Sequence, residues 1–222
     1  MKKGFAAAAV LAMSLYILAG CGEKEHIITE NSIEVAKDGK LTVYKFTEFS
    51  ENYDGDTVSY YEPAELKSMI ENELSEFNSE NGYHAVIDEV ENVEGGQIRL
   101  KYEFEDYESY NLYNNLHNVE ALYPEYYGGY LYYGEYVGAG EISENSFGDL
   151  SMDDRDLIVD VEDSTDVTID KLVGRHIIVT DENIKIYAPY KVTYVTAGTF
   201  MDEDGSVNCM LIEGRKVIVM NK

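Results

Sequence analysis

The chain has 222 residues, 43 of them acidic against 17 basic, for a formal charge of −26. So acidic a chain is repelled by nucleic acid, whose binders carry basic patches, and by an anionic membrane surface. Hydrophobic residues make up 45% and aromatic ones 12%, enough to bury a core and to exclude a disordered acidic tail.

Met1-Lys2-Lys3 is a short basic start, and residues 5–18 are apolar apart from Ser14 and Tyr16. A permanent span needs about 20 apolar residues, so this run reads as a secretory signal peptide rather than a retained anchor helix. It leads into Leu18-Ala19-Gly20-Cys21, which resembles the lipobox of bacterial lipoproteins. The resemblance implies that residues 1–20 are cleaved off and that the Cys21 thiol carries a diacylglyceryl group. It also implies a position at the outer face of the cell membrane, on a Gram-positive type of cell surface. Two acyl chains anchor stably where one is marginal, since each buried CH₂ contributes about 0.8 kcal/mol. Loss of Lys2 and Lys3 takes the formal charge from −26 to −28, so the lipid must do the anchoring. Residues 21–26 form a short polar tether. With Cys21 lipidated, Cys209 has no partner within the chain, and a disulfide framework is excluded.

Residues 27–118 read as an α+β domain. Two strands are predicted over 27–35 and 41–49, with Asp38-Gly39 between them supplying a type I′ hairpin turn. Ile33 and Val35 alternate with polar neighbours, as do Leu41 and Val43, with Lys45 next in that alternation. Residues 51–57 read as a solvated loop; its three carboxylates invite Ca²⁺, but the ligand order of an EF-hand is missing. A helix over 63–79 starts at Pro63 and stops at Asn81-Gly82, with Leu66, Met69, Ile70, Leu74 and Phe77 as one apolar stripe. Strands over 84–93 and 97–104 follow, the second alternating cleanly through Ile98, Leu100, Tyr102 and Phe104 while Val86 and Val90 disturb the first. Together these make a ββαββ-like unit, a helix on an antiparallel sheet. Asp106 caps a second helix reaching residue 117.

Residues 119–155 read as a Tyr/Gly-rich and then acidic connection. Eleven of the 20 tyrosines lie between Tyr102 and Tyr136. Tyr123, Tyr126, Tyr127, Tyr130, Tyr132, Tyr133 and Tyr136 alternate with glycines that exclude a regular helix. Two readings stand: a long loop packed over the core by its own rings, or a binding surface for a protein or glycan, since tyrosine pairs a flat apolar face with a hydroxyl. If any stretch is a binding surface, it is this one.

Residues 156–222 read as β-rich, either separate or packed as one unit with the first part. Short strands are predicted over 157–161, 167–169, 176–179, 184–187 and 191–195, separated by turn signals such as Asp181-Glu182-Asn183. A terminal hairpin is predicted from 207–212 and 216–220 through Glu213-Gly214-Arg215. Cys209 falls on one face with Val207 and Leu211, as a buried, inert thiol.

Pieces of residues 30–110 resemble a group of uncharacterised lipoproteins from Gram-positive gut anaerobes. They are Ser32-Ile33-Glu34-Val35, Lys37-Asp38-Gly39, Glu65-Leu66-Lys67-Ser68-Met69-Ile70, residues 77–82, and residues 84–90 from His84 to Val90. The resemblance implies the lipoprotein topology and an α+β domain, and no activity.

No nucleophile elbow, phosphate loop or dinucleotide fingerprint is present, and His26, His84, His117 and His176 lack zinc spacing. No catalytic residue, cofactor or metal is therefore assigned. The expectation is a lipid-anchored, non-catalytic interaction or binding module, with the membrane as partner through Cys21 and a protein or glycan partner at the envelope. The competing expectations are a cell-envelope hydrolase using acidic residues and a Ca²⁺-stabilised structural domain.

Overall fold

The computed structural model describes residues 27–47, 50–53, 56–59, 62–93, 97–117, 129–136, 157–212 and 214–221. The fold is α+β. Strands β1 (Ser32–Val35) and β2 (Leu41–Thr47) form the expected hairpin, but its turn is not type I′: Gly39 is at φ 92° while Asp38 is not at positive φ, and Gly39 N–H donates to Ala36 O at 3.0 Å, so one left-handed residue closes the turn. Residues 51–57 are not one loop: β3 (Ser50–Tyr53) and β4 (Asp56–Ser59) pair antiparallel. The sequence signal for this, Asp54-Gly55, is the same one that marks the first hairpin, but the acidic residues around it mask the strands.

Helix α1 (Pro63–Asn81) begins on Pro63 and ends on Gly82 at φ 75°, whose N–H donates to Asn78 O. Leu66, Ile70, Leu74 and Phe77 are buried, whereas Met69 is 48% exposed and does not belong to the stripe. Asn78 locks the helix to β5 (Ala85–Asn92) through two 2.8 Å bonds with the Ala85 backbone. The broken alternation of β5 is a β-bulge: Ile87 pairs with Tyr102 and Glu89 with Lys101 of β6 (Ile98–Phe104), leaving Asp88 unpaired in the ladder. Helix α2 (Tyr107–His117) is capped by Asp106, whose Oδ1 accepts from Ser109 N at 2.8 Å.

The remaining strands are β7 (Leu131–Glu135), β8 (Ile158–Asp160), β9 (His176–Thr180), β10 (Lys185–Tyr187), β11 (Lys191–Thr196), β12 (Phe200–Met201), β13 (Val207–Asn208) and β14 (Lys216–Asn221). In place of the strand expected over 167–169 there is a single bridge at Asp166 and a 3₁₀ turn, Ile169–Lys171. A seven-stranded sheet runs β12-β13-β10-β1-β2-β6-β5, and a five-stranded sheet runs β7-β9-β14-β11-β8. The C-terminal strands therefore complete the N-terminal sheet, with β10 parallel to β1.

The terminal hairpin is not formed. β13 pairs with β10 and β12, while β14 lies in the other sheet between β9 and β11. From β9 onward the chain passes between the two sheets repeatedly, so neighbouring apolar runs in sequence are not neighbours in space. Cys209 is fully buried and its thiol is pushed up to about 12 by burial, but Leu211 is 74% exposed and does not share its face.

One core joins both sheets and both helices, from Ile33, Leu41, Phe77 and Tyr113 to Ile178, Ile186 and Ile218. A smaller one lies on the other face of the five-stranded sheet and holds Tyr136, Leu172, Ile177, Val179, Val217 and Val219. β14 is thus buried on both faces, which accounts for its unbroken apolar run Val217-Ile218-Val219-Met220.

Candidate functional site

The alternation of β2 puts Leu41, Val43 and Lys45 on the core side of the sheet; the first two are buried and Lys45 is mostly withdrawn from solvent. At Lys45 the core side opens into a cavity of about 350 Å³. Its walls are the end of β2, Asn31 before β1, Tyr110 and Asn114 of α2, Gly129 before β7, and Glu182 and Ile184 in the crossing from β9 to β10. The volume lies at the lower end of the range for small-molecule sites, about 300–1,000 Å³.

The crossing is where polar backbone meets the core. Lys216, fully buried at the start of β14, answers it with Nζ bonds to Asp181 O at 2.9 Å, Glu182 O at 3.3 Å and Asn183 Oδ1 at 2.5 Å. An ammonium with three acceptors is a satisfied buried cation. Asp181 turns its carboxylate to Tyr130 N at 2.7 Å, and Thr180 Oγ1 donates to Tyr130 O at 2.8 Å. Asn111 clamps Leu131 through two 2.8 Å backbone bonds. The residues entering β7 are therefore held from both α2 and the crossing.

Glu182 faces the cavity. The buried Tyr110 hydroxyl donates to its Oε1, and its own N–H donates to Thr180 Oγ1 at 3.0 Å. Burial raises the Glu182 carboxyl above its ordinary value, and it drives the Tyr110 hydroxyl well above its own. Gly129, at φ 48°, is where the carboxylate comes close to the backbone: a Cβ there would sit 2.6 Å from Glu182 Cδ. Asn114 bridges the two sides, donating from Nδ2 to Gly129 O at 3.2 Å and accepting from Lys45 Nζ at 3.5 Å. Lys45 Nζ also lies 5.9 Å from the Tyr102 ring centroid, and burial lowers its pKa. Among the described residues it forms no ion pair.

Of the tyrosines singled out from sequence, Tyr123, Tyr126 and Tyr127 lie outside the described residues, as does Cys21. Tyr136 is fully buried in the smaller core, which removes it from any surface. Tyr130, Tyr132 and Tyr133 are partly buried. Tyr132 packs edge-on against Tyr107 at 5.2 Å, and Tyr133 stacks on His176 at 5.7 Å. The cavity residues Lys45, Tyr110, Asn114, Gly129 and Glu182 were not singled out as a site. The one local signal was a lysine continuing an inward apolar alternation. The side chains of 51–57 are not described, so the Ca²⁺ expectation there falls outside the described residues. Among those described, no group of three or more His, Cys, Asp or Glu is placed to hold a metal, and no helix is long and apolar enough to cross a membrane.

Comparison with protein-family models, with curated proteins and with solved structures returned no match to this chain.

Proposed function

We propose that this chain is a non-catalytic binding module, anchored at the outer face of the cell membrane by a diacylglyceryl group on Cys21, that takes a small polar ligand into the cavity at Lys45. The observation that carries the reading is a withdrawn ammonium on the wall of a cavity of about 350 Å³, in no ion pair among the described residues, with Glu182 on the same wall as the one opposite charge acting on it. A desolvated charge held without a partner costs the fold stability, and such costs are retained where a ligand is to be bound. A hydrolase of the two-carboxylate type needs a second carboxyl across the cleft. Among the described residues Glu182 is the one carboxylate on the wall, and Asp181 beside it is occupied by Tyr130 N–H. The anchor fits the same reading. Asn31, on the cavity wall, is ten residues beyond Cys21, so the ligand is met within about 35 Å of the bilayer, at about 3.5 Å per extended residue.

Two measurements test this. Intact mass of the protein isolated from cells is expected to give a chain starting at a diacylated Cys21; a start at an unmodified residue 22 or beyond refutes the anchor. A thermal-shift screen of the full-length protein against polar small molecules is expected to return a ligand whose stabilisation is lost in Lys45→Met. A screen that returns no ligand whose stabilisation is lost in Lys45→Met refutes the binding site.

A further inference from the structure

Two groups on the cavity wall are left incomplete. Among the described residues Lys45 Nζ has one hydrogen bond, to Asn114 Oδ1 at the long distance of 3.5 Å, out of three it can donate. Glu182 spends Oε1 on the Tyr110 hydroxyl, and Oε2 accepts nothing among the described residues. The two feel each other's charge but form no ion pair; Asn114 instead takes Lys45 on one side and Gly129 O on the other. A cation and a carboxylate are thus held on one wall without an ion pair.

We propose that the ligand is a small zwitterion of amino-acid size, its carboxylate received by Lys45 and its ammonium by Glu182 Oε2. This rests on the cavity being a binding site, as argued above. An anion alone would set its charge beside Glu182, and a cation alone would face Lys45. In a site partly shut from water, either like-charge approach is expensive. A zwitterion answers both groups and brings no net charge into the cavity. Burial holds Lys45 below and Glu182 above their ordinary pKa values, and the charge of each offsets only part of the other's shift.

Isothermal titration calorimetry on the full-length protein in detergent tests the ligand class. The probes are the standard amino acids and glycine betaine, and then, for the tightest of these, the analogue lacking the amine and the analogue lacking the carboxylate. The expected result is an amino acid that binds at least tenfold tighter than either analogue, with Lys45→Met and Glu182→Gln each weakening it at least tenfold while both variants keep their circular dichroism. If the carboxylate-only analogue matches the amino acid, and Glu182→Gln leaves both unchanged, the cavity is an anion site: the zwitterion is refuted and the binding module stands. If no amino acid or betaine binds while another class in the thermal-shift screen does, the zwitterion is again refuted alone. If nothing binds in either experiment, both readings fall.

Discussion

Gly129→Ala is the sharpest perturbation of the cavity wall. The new Cβ would lie 2.6 Å from Glu182 Cδ and 3.1 Å from Asn114 Nδ2, at a backbone angle of φ 48°. The angle alone costs a residue with a Cβ about 1–2 kcal/mol. The clash adds more, because the Glu182 carboxylate must turn away and give up the buried Tyr110 hydroxyl, a charged hydrogen bond contributing about 1.5–3 kcal/mol. The two together come to about 2.5–5 kcal/mol, a large share of a domain's typical stability of about 5–15 kcal/mol. Urea unfolding followed by far-ultraviolet circular dichroism measures it. A double-mutant cycle with Tyr110→Phe isolates the second part: once the hydroxyl is gone, Gly129→Ala is expected to cost about 1.5–3 kcal/mol less than in the parent. Strict additivity would refute the argument that Gly129 is needed for Glu182 to reach Tyr110, and a single-variant loss below about 1 kcal/mol would refute the clash itself.

Glu182→Gln has a pH signature. The Glu182 carboxyl, ordinarily near 4.5, is raised in the folded chain, mainly by burial. Its contribution to stability is therefore full below the unfolded value and is lost as pH rises through the folded one. Glutamine keeps an acceptor for Tyr110 and does not ionise. The stability of Glu182→Gln relative to the parent should thus rise between pH 4 and pH 8, and a difference that stays flat in urea titrations at pH 4, 6 and 8 would refute it. Lys216→Met removes the one donor shared by Asp181 O, Glu182 O and Asn183 Oδ1, and is expected to cost about 3 kcal/mol or more in thermal or urea unfolding. A cost under about 1 kcal/mol would mean the crossing finds other donors.

Local features were legible in the sequence because their cause is local. Pro63 and Gly82 bound α1, Asp38-Gly39 turns the first hairpin, and Ile98 to Phe104 alternates cleanly in β6. What the sequence hid are matters of pairing. Val207 and Lys216 begin two strands nine residues apart, yet they enter different sheets, and nothing in either run says so. Asp181-Glu182-Asn183 carries the composition of a solvated turn. It proves to be a crossing between sheets because a lysine 33 residues beyond Asn183 caps it from inside. Lys45 was visible only as a polar residue at an inward position of β2. Its meaning required α2 and the crossing to be brought beside it, and Tyr136 was likewise unreadable until β9 and β14 closed over it.

The order in which strands enter the five-stranded sheet also bears on biogenesis. β14, the last element of the chain, lies between β9 and β11 with both faces buried, while β10 and β13 finish a sheet begun at residue 32. The seven-stranded sheet is incomplete until residues 200–208 arrive and the five-stranded sheet until residues 216–221, so the contacts that complete the domain span most of its length. Folding with so many distant pairings is slow. On the proposal that the chain is exported, that delay would keep a finished domain from jamming the secretion channel before the whole chain is outside.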